Sequence, residues 1–246
     1  MINRVATLAI LGAVAGCSGV DGSVLPHQVH SYVVGIDISG SRTPAELAES
    51  KKLLNSLIDR LELGDRLTLV EMYQGGKEPA RQWSDSTHAP RQAGKIGPSE
   101  QRRLEDFKNI ARIQARVLFD STRAKHIQTT DIFGTLVRAA DYARPARDMS
   151  RTLLLLSDMI NETPDVTMTS QSSIPADTWI KHLAAQRRIP QLPGVCVVVS
   201  GADVSSARGA AIRDFWEKYF AAAGAQLPPE NYRNMISNAS EVGCGS

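Results

Sequence analysis

Apolar residues along the chain keep two alternating rhythms. Short runs rich in branched aliphatics occupy residues 31–36, 66–73, 152–156 and 195–199. Runs this short and this continuous predict strands buried on both faces. Between them lie stretches whose apolar positions recur three and four apart, as on one side of a helix. The clearest begins at Thr43, a capping residue followed by Pro44 at the first helical position and Glu46 three residues after the cap. Leu47, Leu54, Leu57, Ile58 and Leu61 carry its apolar face, and Gly64 is expected to close it. Further helices are predicted from Ser99 (Leu104, Phe107, Ile110, Leu118), from Thr130 (Phe133, Leu136, Val137, Ala140), and around Trp179, Ile180 and Leu183. The last runs through Ile212, Phe215, Trp216, Tyr219 and Phe220 to Gly224, with its aromatic residues facing the core. Arg81-Gln82-Trp83 reads as a short edge strand after the Gly75-Gly76 turn. Strands alternating with helices imply a doubly wound, mostly parallel α/β sheet with helices on both faces and one short antiparallel edge strand. One domain accounts for residues 31–224, and the weak periodicity of 225–246 reads as a tail.

The first residues carry a different pattern. Met1-Ile2-Asn3-Arg4 is a short basic segment, and residues 5–15 are small and apolar. About a dozen apolar residues cannot span a bilayer, where roughly 20 are needed, so residues 1–16 read as a cleavable signal peptide. The segment ends Val14-Ala15-Gly16-Cys17, which resembles a bacterial lipobox. That resemblance implies lipidation of Cys17, an anchored protein of the bacterial envelope and a polar tether over residues 17–30. Ser18 after the cysteine, where Asp would favour retention at the inner membrane, points to the outer membrane. An ordinary secretory signal would export the chain as well.

Composition narrows the picture less. With 246 residues and 42% hydrophobic content, the chain can bury one full core. A formal net charge of +2, without a basic stripe, argues against a nucleic-acid partner. The five histidines are scattered at no zinc-like spacing. With Cys17 taken by lipid, Cys196 and Cys244 remain as an even pair in an oxidising compartment. They either form a bridge, or Cys196 is simply a small buried residue in its strand.

Candidate chemistry concentrates just past the strands, where open parallel sheets bind ligands. Two strands end in aspartate, at Asp37 and Asp158. After the first come alternating hydroxyls, Asp37-Ile38-Ser39-Gly40-Ser41, and Thr130 adds a hydroxyl at a helix start. Carboxylates and hydroxyls without a Cys or His cluster suit a hard cation such as Mg²⁺, with Mn²⁺ and Ca²⁺ as alternatives. Taken singly, the same residues serve as turn and helix caps.

Three segments together resemble the von Willebrand factor A (vWA) family. Asp37-Ile38-Ser39-Gly40-Ser41 is similar to its D-x-S-x-S motif, and Thr130-Asp131-Ile132-Phe133-Gly134-Thr135-Leu136 to its threonine segment. Leu155-Leu156-Ser157-Asp158 is similar to the end of its fourth strand. The resemblance implies a metal-ion-dependent adhesion site. Asp37, Ser39, Ser41 and Thr130 would surround the ion directly or through water, and Asp158 would hold a coordinated water. It further implies a partner protein of the envelope or exterior whose acidic residue completes the metal's shell. Met159 departs from the family's usual glycine, and Arg42 follows the serine motif, where it could crowd the site or recruit an anion. The loop over 159–175 is expected on the metal-bearing rim. No residue is placed as an obvious catalytic base, so an enzyme is not expected. A metal-free structural component of an envelope assembly, or a metal-assisted hydrolase, are the competing readings.

Overall fold

The computed structural model describes residues 28–73, 80–87, 96–119, 129–144 and 149–244. The signal peptide, Cys17 and the tether as far as residue 27 lie outside the described residues. In chain order the elements are β1 (Val29–Ile36), α1 (Pro44–Arg60), β2 (Arg66–Glu71), β3 (Gln82–Ser86) and α2 (Pro98–Leu118). They continue with α3 (Ile132–Tyr142), β4 (Met149–Leu156), α4 (Asp177–Ala185), β5 (Cys196–Ser200), α5 (Ala207–Ala223) and β6 (Tyr232–Arg233).

The six strands form one sheet in the order β3-β2-β1-β4-β5-β6. Every neighbouring pair is parallel except β2 with β3, so β3 is the expected antiparallel edge. It runs longer than the tripeptide at Arg81 because Ser84, Asp85 and Ser86 extend the pairing with β2 despite their polarity. Backbone ladders on an exposed edge do not require apolar side chains.

Strand alternation divides the core in two. Leu153 and Leu155 of β4 face one layer with α3, α4 and α5, joined by Val33, Val197 and Val199. Leu154 and Leu156 face the other layer with α1 and α2, joined by Val34, Ile36 and Val198. This double covering explains why β4 ends in an unbroken run of leucines, Leu153 to Leu156.

Helix ends follow their local chemistry. The Thr43 side chain accepts from the Glu46 amide while Glu46 reaches back to the Thr43 amide, the reciprocal cap read from the sequence. The helix stops at Arg60, however, ahead of Gly64, whose φ of 99° shapes the turn into β2 instead. Gly224 does close α5 in the left-handed conformation.

The C-terminal residues do not trail from the domain. β6 pairs in parallel with β5, and Ile236, Ala239 and Val242 are buried in the α1–α2 layer. Cys196 of β5 and Cys244 are joined by a disulfide with a Cα–Cα separation of 5.6 Å. At the other end, Val29 and His30 lie inside β1 rather than in a tether. Periodicity along the chain ends at 31 and 224, because a two-residue strand flanked by single 3₁₀ turns has too few residues to display any.

Candidate functional site

The sheet's winding reverses between β1 and β4: the chain runs outward through β2 and β3 on one side and through β5 and β6 on the other. Loops leaving adjacent strands in opposite directions open a crevice at that point. Ile36 and Leu156, the last residues of the two strands, are register partners. The Asp37 amide donates to the Leu156 carbonyl at 3.1 Å, carrying the ladder one residue into the crevice.

Asp37 is fully buried. A carboxylate in that position needs donors, and it has three. Oδ1 accepts from the Ser39 amide at 3.0 Å and from Thr130 Oγ1 at 3.3 Å. Oδ2 accepts from Ser157 Oγ at 2.8 Å. Ser39 Oγ lies 2.9 Å from Ser41 Oγ, and Ser41 Oγ donates to Asp158 Oδ2 at 2.9 Å. The structure therefore brings Asp37 and Thr130 into one hydrogen-bonded group and Ser39, Ser41 and Asp158 into a second, joined to the first through the Ser39 amide. Together they run from fully buried Asp37 to exposed Ser41 at the rim.

Thr130 reaches this set because it is not the helix cap. Asp131 caps α3, its carboxylate accepting from the Gly134 amide at 2.7 Å, which leaves the preceding hydroxyl free to turn toward Asp37. The loop after β4 holds it there. Asn161, buried, accepts from the Ile132 amide at 2.9 Å, and the Glu162 amide donates to the Thr130 carbonyl at 2.8 Å. The loop over 159–175 thus begins on the rim.

Three contributors escaped the sequence reading: Ser157, Asn161 and Glu162. Ser157 was legible only as a motif letter, although its hydroxyl both donates to Asp37 and accepts from the Met159 amide at 2.9 Å. Asn161 and Glu162 carry no local signal, because their partners lie about 30 residues away in sequence.

Met159 occupies the left-handed region, with φ of 65°, where a side chain costs roughly 1–2 kcal/mol. It is held by complete burial in the core and by Trp216, whose indole N–H donates to the Met159 carbonyl at 2.9 Å. The bend that glycine makes in the vWA motif is thus made here by a methionine under constraint.

Arg42 is buried beside the site without blocking its oxygens. Nη2 donates to Ser50 Oγ at 3.1 Å, Nε is 3.9 Å from Glu46, and neither Nε nor Nη1 has a hydrogen-bond partner among the described residues. The guanidinium lies against Gly201, whose φ is 120°. A Cβ there would stand 2.8 Å from both Arg42 Nη1 and the Ser157 carbonyl oxygen.

Electrostatics follow from two carboxylates sharing little solvent. Burial, and then the charge of Asp37, push the Asp158 carboxyl up to about 6. The Ile160 amide, Ser41 and the Arg42 charge oppose that shift. Burial, followed by Asp37, also raises the Glu162 carboxyl. Among the described residues no group of three Cys, His, Asp or Glu side chains stands ready for a metal. What the crevice offers is two carboxylates and three hydroxyls, an all-oxygen set whose mutual repulsion a hard cation would relieve. Asp37, Ser39, Ser41, Thr130 and Asp158 are the residues that would hold it.

No family model matches the chain, and no curated protein does. Among solved structures it is similar to an aerotolerance-related membrane protein from Bacteroides fragilis carrying multiple mutations to serine. Identity there is 13%, with 87% of this chain and 94% of that one covered, at a TM-score of 0.44. It is also similar to the N-terminal domain of TFIIH p34, at 11% identity, 82% and 90% coverage and a TM-score of 0.38. A third is the SpRpn10 VWA domain, at 10% identity, 82% and 90% coverage and a TM-score of 0.30. The mostly parallel sheet and its single antiparallel edge are those expected from the alternation of strands and helices along the sequence. The fold is a doubly wound, mostly parallel α/β sheet with one antiparallel edge strand. Among the described residues no helix is long and apolar enough to cross a membrane.

Proposed function

We propose that this chain is a non-enzymatic binding module that recognises a protein partner through a divalent cation, held at the bacterial envelope by a lipid on Cys17. The observation that carries the reading is the meeting of Asp37 and Asp158, from opposite sides of the winding reversal, in one set of oxygens with Ser39, Ser41 and Thr130. A cation bound there would supply positive charge at an open rim, and so a place for a partner's carboxylate. Asp37 and the three hydroxyls position the oxygens, and the buried floor keeps water from competing beneath.

Calorimetric titration of the full chain with Mg²⁺, Mn²⁺ and Ca²⁺ tests the metal. Crosslinked capture from the native envelope with and without EDTA tests the partner. Saturable heat, together with a captured protein that disappears in EDTA, is expected. Absence of heat with all three ions, or capture indifferent to EDTA, overturns the reading. The second reading, a metal-free structural component, draws on Arg42, a buried cation that offsets part of the carboxylate charge by itself.

Proton and cation compete for the same carboxylate. Since Asp158 holds its proton up to about pH 6, the apparent divalent affinity should be flat above that pH. Below it, the affinity should fall, approaching about tenfold per pH unit once the carboxyl is mostly protonated, because each cation must then displace a proton. Affinities measured between pH 4.5 and 8 check the sign. An affinity that rises on acidification, or shows no break near 6, would remove Asp158 from the ligand set.

A further inference from the structure

A second concavity opens beside the oxygen cluster, where none of the three motifs places a function. It encloses about 350 Å³ between the start of α3, the loop after β4, α4 and α5. Asp131, which belongs to it, directly follows Thr130, so the cavity begins one residue from the site described above. Its apolar walls include Phe133, Trp179 and Tyr219. Their rings are mutually packed: Phe133 stands 5.3 Å from Trp179 and 5.2 Å from Tyr219 between centroids.

Two features indicate what such a cavity would accept. Its polar lining includes two carboxylates, Asp131 and Asp165, against one cation, Arg188. Arg188 is exposed and its Nη1 is directed to Gln186 Oε1 at 3.5 Å. One Asp131 oxygen caps α3, and Arg138 on the same helix feels its charge, whereas Asp165 is exposed and pairs with no described residue. Tyr219 is only 2% exposed, yet its hydroxyl makes no hydrogen bond to any described residue although the ring lines the cavity. The hydroxyl is nevertheless reached by solvent, so it stands available in the recess as a hydrogen-bond acceptor.

We propose that this cavity takes the side chain of a lysine or arginine from a bound polypeptide. The aliphatic stem packs against Phe133 and Trp179, and the cationic head meets their ring faces, the Tyr219 oxygen and the two carboxylates. Aromatic faces attract cations most when the head is partly desolvated, as in a recess of this kind. An acidic or purely apolar side chain uses only part of this lining. The assignment stands whether or not the neighbouring oxygens bind a metal, and its test is run in EDTA to keep the two separate.

The test uses NMR of the full chain, following the indole N–H signals of its three tryptophans, with Trp179 assigned by the loss of its signal in Trp179→Phe. The probes are Nα-acetyl-N-methylamides of lysine, arginine, norleucine and glutamate. Lysine or arginine is expected to shift the Trp179 indole saturably, with norleucine at least fivefold weaker and glutamate without effect. Asp165→Asn, at an exposed position, is expected to weaken the basic probe about threefold. Equal shifts from norleucine would make the cavity a simple apolar recess. A stronger effect from glutamate would hand control to Arg188, and silence from every probe would leave no side-chain site at all. Each of these three results overturns the proposal.

Discussion

Asp37→Asn should lower the affinity for a divalent cation on the order of a hundredfold or more, beyond the ~10–100-fold typical of residues that only support a ligand. Asparagine keeps the size of the side chain and one carbonyl oxygen for the Ser39 amide and Thr130. It puts an N–H₂ group against Ser157 Oγ, which already accepts from the Met159 amide, so that hydroxyl must turn its own hydrogen elsewhere. The same substitution removes the charge that is the second cause of the raised Asp158 carboxyl. Asp158 should therefore titrate lower, though still above an ordinary aspartate, because burial is the first cause and persists. The linkage sign follows. In the metal-free protein the folded state holds a proton that the unfolded chain releases near pH 4, so stability declines as pH rises from about 4 to about 6 and then levels. In Asp37→Asn that decline should shrink. Calorimetry with Mg²⁺ and carboxyl titration by NMR measure the two effects independently. Unchanged cation affinity would exclude Asp37 as a ligand, and an unchanged Asp158 would mean the two carboxylates do not sense each other.

Cys244→Ser should cost about 4 kcal/mol of folding free energy, the loop-closure value for a span of this length. The bridge ties residues 48 apart and encloses β5, α5 and β6. Without it the unfolded chain gains freedom, and the final turns lose the tie that presses Ile236, Ala239 and Val242 onto the α1–α2 layer. Urea unfolding of the oxidised protein and of the variant gives the difference directly, and a loss below about 1 kcal/mol would mean the tail docks unaided. The oxygen cluster should survive, since none of Asp37, Ser39, Ser41, Thr130 and Asp158 lies in the enclosed span. Such a bridge persists in oxidising surroundings and not in a reducing cytoplasm, which makes it consistent with export.

Much of the architecture was legible because burial writes itself into the sequence. The unbroken leucines of β4 need two covered faces, and Thr43-Pro44-Ala45-Glu46 can hardly do other than start a helix. The five oxygen residues were legible for a related reason: each sits at a strand or helix boundary, where position along the chain fixes position in the fold. Ser157, Asn161 and Glu162 were not, since their roles depend on what faces them across the crevice. Arg42 was visible as an anomaly, but its placement against Gly201 and the Ser50 hydroxyl is a tertiary matter. The C-terminal segment failed for want of length, because two residues of strand show no alternation.

The two borders of the sheet have a consequence for how the protein behaves in a crowd of copies of itself. On one side, β3 carries Asp85 between serines and all but one of its residues are exposed; on the other, β6 offers only two residues. Neither gives an incoming chain a long, greasy, regular template on which to add another strand. Blunted borders of this sort keep neighbouring copies from extending one another's sheet at high local concentration.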